Sequence, residues 1–453
     1  MHVENLPMKN IFRLILLVLL ISSCTSDHGE WKVKTQNADF LHRSIKQITD
    51  VIVYDIFSPP VAARIYAYSS IAAYEIAIHE DAKYRSLGGQ LTGFETPPQP
   101  ENGKEYCYPL AAVHAALKVG RTLVFSEDKM DVFYNNIIQE FRDAGVPDDV
   151  FDRSIEYGTL VADHVIAWSS KDNYKQSRSF PKYSIKEDPA TWKPTPPAYM
   201  DAVEPHWNKI RPFAIDSAQQ FKPTPPTPFS IDKNSQFYKE AIEVLEMGNN
   251  LTDEQRQIAF FWDCNPFMMN VKGHVMFATK KISPGGHWMN ITNVACHKVN
   301  ADFVKSTEAY ARVSIALIDA FISCWDEKYR SNLIRPETYI NQYIDEDWVP
   351  VLQTPPFPEY TSGHSVISAA SAITLTDLLG ENFAFTDSTE VEFGMPARSF
   401  TSFIQASEEA AISRMYGGIH YRPAVDVGMK EGRDIGYYIL QKIKTRKEDL
   451  AVN

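Results

Sequence analysis

Apolar side chains recur at three- and four-residue steps along most of this chain, the period of amphipathic helices rather than strands. Ile45, Ile48, Val51, Ile52 and Ile56 form the first such face, in a helical stretch over 38–80 that Ser58-Pro59-Pro60 interrupts. Further helices are predicted over 61–78, 110–126, 129–144 and 150–169, with a proline-rich loop over 97–109. The pattern dissolves between 181 and 234, where prolines crowd together and Trp and Phe occur without period. Such a stretch is too aromatic for a disordered linker, so it predicts an irregular crossover that docks its rings. Helical periodicity resumes over 235–247 and 252–263, the latter opened by a capping-box spacing, Thr252 to Gln255. A long helix is predicted from 302 to about 334, another opens at Ser362-Gly363, a third starts near Ala406, and the last runs past Asp426. Gly285-Gly286-His287 reads as a loop, and no long segment alternates strictly. The expected fold is all-α: an N-terminal helical bundle over 38–180, the crossover over 181–234, and a second bundle over 235–453.

Composition leaves that picture unchanged, and charge narrows the partners. A net charge of −12 leaves no surplus of cations for nucleic-acid phosphates. The first 24 residues are a separate element. Lys9 and Arg13 flank an apolar run over 11–21, too short to span a bilayer, which ends in Ile21-Ser22-Ser23-Cys24. This resembles a bacterial lipoprotein signal in which Cys24 is lipidated, with 25–37 as a linker. The expected location is the exported cell envelope, periplasm or outer membrane, with membrane contact only through that anchor. The other cysteines, Cys107, Cys264, Cys296 and Cys324, form no CxxC pair, so their spacing points to neither a zinc site nor a dithiol. One or two disulfides and four buried thiols are equally open. Asp263, inside an apolar run, calls for a cationic partner, and Arg414 is the candidate.

Candidate chemistry gathers in three clusters between Trp325 and Asp426. Lys328 and Arg335 stand seven residues apart, close to two helical turns, which puts both on one face ~10 Å apart. Pro336 frees Arg335 at the helix end. Thr354-Pro-Pro-Phe-Pro358 then delivers extended chain to Ser362-Gly363-His364, where a helix begins. Free amides, the helix dipole, a hydroxyl and a glycine that lets an oxyanion approach the backbone favour an anion there. His364 at the rim can exchange protons. Arg414 ends the third cluster's helix, and Gly417-Gly418 breaks it so that His420 turns back toward Arg414. Three cations, a hydroxyl, backbone donors and two histidines describe one pocket for a tetrahedral oxyanion.

The order Lys-x6-Arg-Pro, Ser-Gly-His, Ser-Arg-x5-His resembles the vanadium-dependent haloperoxidases and the type 2 phosphatidic acid phosphatases that share their anion site. Thr361 stands where that pattern has proline. Val61-Ala-Ala-Arg-Ile-Tyr-Ala-Tyr68, Phe261-Trp-Asp-Cys-Asn-Pro266 and Pro205-His206-Trp207 look similar to secreted bacterial haloperoxidase-like proteins. The resemblance implies a vanadate cofactor with His420 Nε2 as the metal ligand. Lys328, Arg335, Ser362, the Gly363 amide and Arg414 would hold its oxygens, His364 would be the acid–base residue, and Lys328 would polarise bound hydrogen peroxide. Trp325 and Phe357 look like the halide pocket of such enzymes, and the bacterial iodoperoxidases are the nearest in overall character, so iodide is the expected halide.

Two other classes compete. A phosphatase would use His420 as nucleophile and His364 as acid. The phosphatases that this site resembles carry an acidic residue four positions after that histidine, where this chain has Ala424 and the nearest acid is Asp426. A surface lipoprotein with a vestigial site would have lost a cation or a histidine, and none is lost.

Overall fold

The computed structural model describes residues 29–272 and 275–447, with only the backbone considered for 270–278. Its helices are α1 (Glu30–Thr35), α2 (Asp39–Tyr54), α3 (Pro59–Ala77), α4 (Tyr108–Leu123), α5 (Glu127–Asp143), α6 (Asp148–Ser169), α7 (Tyr174–Ser177), α8 (Gln236–Asn249) and α9 (Asp253–Phe261). They continue as α10 (Pro284–Lys298), α11 (Phe303–Ser331), α12 (Pro336–Tyr343), α13 (Gly363–Leu379), α14 (Phe403–Tyr416) and α15 (Arg422–Lys442). Two short antiparallel hairpins accompany them: β1 (Met269–Lys272) with β2 (Val275–Ala278), and β3 (Phe385–Asp387) with β4 (Arg398–Phe400). Strands of three or four residues are too short to display an alternating pattern, which is why periodicity did not reveal them.

The helical frame follows the sequence closely. Pro59 and Pro60 start α3 rather than merely breaking α2, because the first turn has no use for their missing amides. Thr252 and Gln255 form the expected capping box. Stretch 25–37, expected as linker, carries α1, anchored by buried Trp31 and Thr35. The crossover goes deeper than a surface wrap: Trp192, Trp207 and Phe213 have no exposed surface at all. Amides 213 to 215 donate to the buried Asp319 carboxylate at 2.7, 2.6 and 2.9 Å, which ties the crossover to α11.

Three elements depart from expectation. Gly285, Gly286 and His287 lie in the first turn of α10, capped by Ser283, not in a loop. A Cβ at Gly286 would stand 2.7 Å from Ile282 Cγ1 and 2.9 Å from Tyr66 Oη, so packing rather than turn geometry explains the glycine. Helix α11 ends at Ser331, three residues early, because Asn332 is left-handed (φ 48°, ψ 37°). Arg335 is extended and caps α12, so Lys328 and Arg335 do not share a helix face. Tyr421 is the cap of α15, and Arg422 and Pro423 are its first residues.

A cluster of buried apolar side chains runs from Trp31 to Ile443, so both expected bundles contribute to one core. Helices α3 and α11 pack across it, and α13 sits between α11, α14 and α15. On α15, Gly428, Gly432 and Gly436 face α13; a Cβ at Gly432 would lie 2.1 Å from Val366 O. All four described cysteines are buried free thiols, which resolves the disulfide alternative. Cys24 lies outside the described residues. No helix among the described residues is long and apolar enough to cross a membrane.

Candidate active site

The three clusters converge beside the first turn of α13. Lys328 is wholly buried on the last turns of α11, and its ammonium donates to the carbonyls of Pro358, Glu359 and Thr361 at 3.1, 3.1 and 2.6 Å. Arg335 donates from Nε to Phe357 O (2.9 Å) and from Nη1 to Ile419 O (2.8 Å) and His420 Nε2 (3.1 Å). Arg414, on the last turn of α14, donates from Nη1 to Trp262 O (2.8 Å) and His364 Nε2 (3.0 Å). The Gly417-Gly418 break works as expected: Gly418 has φ +74°, and Ile419 N–H bonds back to Arg414 O at 3.2 Å. His420 is thereby turned toward Arg335. Ser362 caps α13, accepting from Ser365 N–H at 3.4 Å, which leaves its hydroxyl proton to donate.

Charge balance defines what this pocket requires. Lys328, Arg335 and Arg414 are fully buried, and their described partners are carbonyls and imidazoles. Arg335 Nη2 and Arg414 Nε and Nη2 have no partner, though buried donors of this kind are otherwise satisfied. Burial lowers Lys328 to about 8 and Arg335 to about 10, and it lowers Arg414 as well. Three cations so placed are costly unless an anion joins them. A Cβ at Gly363 would meet nothing closer than Trp325 at 3.5 Å and Lys328 Cε at 4.0 Å, so the glycine keeps a hollow open between those side chains. The donor set and the hollow fit an oxyanion.

Two features were not legible beforehand. Glu359, fully buried, accepts from His420 Nδ1 at 2.8 Å and from Tyr421 N–H at 2.9 Å on the same oxygen. Since Arg335 can only donate to Nε2, the hydrogen-bond pattern assigns the proton to Nδ1 and leaves Nε2 as a lone pair facing the site. Burial first, then Arg335, holds His420 well below its usual range, and burial then Arg414 does the same for His364, so both imidazoles are neutral at pH 7. His420 thus has an orienting carboxylate, supplied from three residues before Ser362 instead of position 424. The second feature is Thr361. Its carbonyl accepts from Lys328, and its hydroxyl donates to buried Glu431 Oε2 at 2.8 Å, which ties the segment before Ser362 to α15. Asp263 does not bond Arg414; it pairs with Lys281 at 2.6 Å.

Trp325 and Phe357 face each other at 5.0 Å between ring centroids, with Lys328 Nζ 5.1 Å from the Phe357 ring. They line a cavity of about 40 Å³ together with Pro59, Phe267, His364 and His420. A larger open cleft, about 460 Å³, shares Phe267 with it. The cations there are no comparable set, because Arg178 is paired with Glu204.

Comparison with known proteins follows from this geometry. The profile of the VCPO second helical-bundle domain matches residues 308–448, which span all three clusters. The chain is similar to the crystal structure of a bacterial vanadium-dependent iodoperoxidase, with 52% identity over 90% of this chain and 97% of that chain and a TM-score of 0.86. It shares its fold with holo and apo structures of a bacterial vanadium-dependent chloroperoxidase. These are 17% and 15% identical, cover 85% of this chain and 92% and 95% of theirs, and give TM-scores of 0.64 and 0.61. No curated protein matches. The chain belongs to the vanadium-dependent haloperoxidases, and its all-α fold is theirs.

Proposed function

We propose that this enzyme uses hydrogen peroxide to oxidise iodide to a hypoiodous acid equivalent at a vanadate held by His420. The observation that carries the reading is a set of three buried cations, two of them arginines with unpartnered donors, around a lone-pair imidazole nitrogen. Vanadate, when bound, supplies the centre that activates peroxide toward halide without changing its oxidation state. Lys328, Arg335, Arg414, the Ser362 hydroxyl and the Gly363 amide would hold its oxygens, and Glu359 fixes His420 with Nε2 presented. His364, kept neutral by burial and Arg414, would take up the proton of incoming peroxide and release it again. Lys328 would supply the positive charge that polarises the peroxide. Trp325 and Phe357 exclude water and offer halide an apolar, polarisable wall. The iodide preference is supported by the 52% identical iodoperoxidase.

The phosphatase reading gains one observation, the Glu359 carboxylate on His420 Nδ1, which would equally orient a nucleophilic histidine. A paired assay separates the two. Protein reconstituted with orthovanadate is expected to form triiodide from iodide and peroxide. Clear p-nitrophenyl phosphate turnover by untreated protein, with no triiodide after vanadate, would overturn the haloperoxidase reading.

We further propose export with lipidation at Cys24, which places the enzyme at the cell envelope with no other membrane contact. The signal-like run and Ser22-Ser23-Cys24 support this. Radiolabelled palmitate is expected to enter the wild-type protein and not Cys24→Ala; equal labelling of both would remove the anchor.

A further inference from the structure

A second constellation sits behind Arg414 and takes no part in the proposed reaction. Cys264 Sγ, His287 Nδ1 and Glu390 Oε1 meet at mutual distances of 3.3 Å (S to N), 3.2 Å (N to O) and 3.7 Å (S to O). All three residues are buried, His287 completely. They come from three separate parts of the chain: the segment after α9, the first turn of α10, and the segment linking β3 to β4.

We propose that these three side chains form a zinc site, additional to the oxyanion pocket and adjoining it. Zinc lies about 2.3 Å from sulfur, about 2.0–2.1 Å from imidazole nitrogen and about 2.0–2.2 Å from carboxylate oxygen, so tetrahedral edges run to roughly 3.3–3.6 Å. The observed triangle agrees with those edges to within a few tenths of an ångström. Thiolate, imidazole and carboxylate are the donor types zinc accepts, and a Cys-His-Glu set favours zinc over calcium or magnesium, which take oxygen. The far side of the imidazole supplies the independent support. His287 Nε2 meets Asp387 Oδ2 at 2.7 Å, and Asp387 is itself held by Thr389 N–H at 2.9 Å. A carboxylate on the distal nitrogen fixes tautomer and ring orientation in metal-binding histidines, and with zinc bound it would present Nδ1 to the metal between Cys264 and Glu390. Trp262 stacks on the ring at 4.5 Å and 19°, which holds its plane. Cys264 also lines the catalytic cavity, from which water can reach a fourth position.

The site's location suggests its use. Zinc would cross-brace the segment carrying Trp262 and Cys264, and the Trp262 carbonyl accepts from Arg414. Metal at Cys264 would therefore set where the arginine of the oxyanion pocket stands. Cysteine spacing gave no sign of this, because a single cysteine is joined by ligands 23 and 126 residues further on.

The test loads the full, tag-free protein with zinc sulfate and no vanadate, removes free metal by gel filtration, and counts zinc by mass spectrometry. About one zinc per chain is expected for wild type, with at least a tenfold loss in Cys264→Ser and in Glu390→Gln. Glu390→Gln keeps the side-chain volume, and circular dichroism identifies a variant that has failed to fold. Cobalt loading of wild type needs no variant: a thiolate-to-cobalt charge-transfer band in the near ultraviolet is expected, and its absence would overturn the site. Wild type that retains no zinc, or folded variants that retain as much as wild type, would also overturn it and leave a hydrogen-bonded imidazolium between Asp387 and Glu390. Because vanadate is absent throughout, failure here is distinct from failure of the haloperoxidase reading.

Discussion

Whether His420 presents a lone pair or a proton is settled by one carboxylate and one guanidinium. Glu359 takes the Nδ1 proton while Arg335 can offer Nε2 only a donor. Replacing Glu359 by Gln keeps the volume and removes the charge. Loss of such an orienting partner typically weakens metal affinity 10–100-fold, so Glu359→Gln is expected to raise the vanadate concentration for half-maximal reactivation by that factor. Unchanged reactivation would show that Arg335 alone sets the tautomer. Gly363 offers the complementary experiment. Alanine there meets no protein atom closer than 3.5 Å, so Gly363→Ala is expected to unfold at the wild-type temperature yet bind vanadate at least tenfold more weakly, its methyl standing in the hollow. A large loss of thermal stability would mean that the glycine serves the fold. The cations and both histidines were legible because each belongs to a short local motif. Glu359 lies in the same stretch, but its role depends on a contact across 61 residues that no spacing encodes.

Among the elements, the contact between α13 and α15 positions the site most directly. Gly428, Gly432 and Gly436 recur every four residues on α15 and let α13 approach backbone to side chain. The N-terminal end of α13 carries Ser362 and Gly363, and a Cβ at Gly428 would already crowd Ser362 O at 3.2 Å. At Gly432 the added Cβ would meet Val366 O at 2.1 Å, which neither helix can accommodate without moving apart. Overpacking of this kind costs about 1–3 kcal/mol, occasionally more. Gly432→Ala should therefore lower the thermal midpoint, and vanadate retention should fall with it because Ser362 moves with α13. A variant of wild-type stability would mean that α15 is free to slide. The glycine stripe is plain in the sequence, as are the helix periods. Misreadings fell where one residue changes direction. Asn332 turns left-handed and detaches Arg335 from the helix of Lys328, and position 286, in the first turn of α10, is glycine because Tyr66 and Ile282 leave no room for a side chain.

At the scale of the molecule, a chain with a net charge of −12 concentrates three buried cations at one point, and that contrast makes both stability and anion affinity depend on pH. Lys328 is the cation that titrates within reach, above the buried carboxyls of Glu359 and Glu431, which burial raises to about 7. Burial lowers it from 10.5 to about 8, so between those values the unfolded chain holds a proton that the folded protein has released. The stability of the anion-free protein therefore rises with pH across that window, and below pH 8 the buried ammonium carries its full penalty of about 3 kcal/mol. A bound oxyanion reverses the preference by pairing with the ammonium, so binding is linked to keeping the proton. Tungstate is the suitable probe, because its own charge does not change over the range. With Lys328 titrating at about 8, affinity at pH 9.5 should be roughly thirtyfold weaker than at pH 7. Saturating tungstate should raise the thermal midpoint more at pH 7, a ligand at a hundred times its dissociation constant being worth about 2.7 kcal/mol. Lys328→Met should bind more weakly at pH 7 and lose the steep fall in affinity above pH 8, since its side chain has no proton to lose and Glu359 and Glu431, at about 7, are ionised by then. Calorimetric titration at the two pH values measures both. An affinity that is flat in wild type, or equally steep in Lys328→Met, would assign the titration to another group and leave Lys328 a permanent cation.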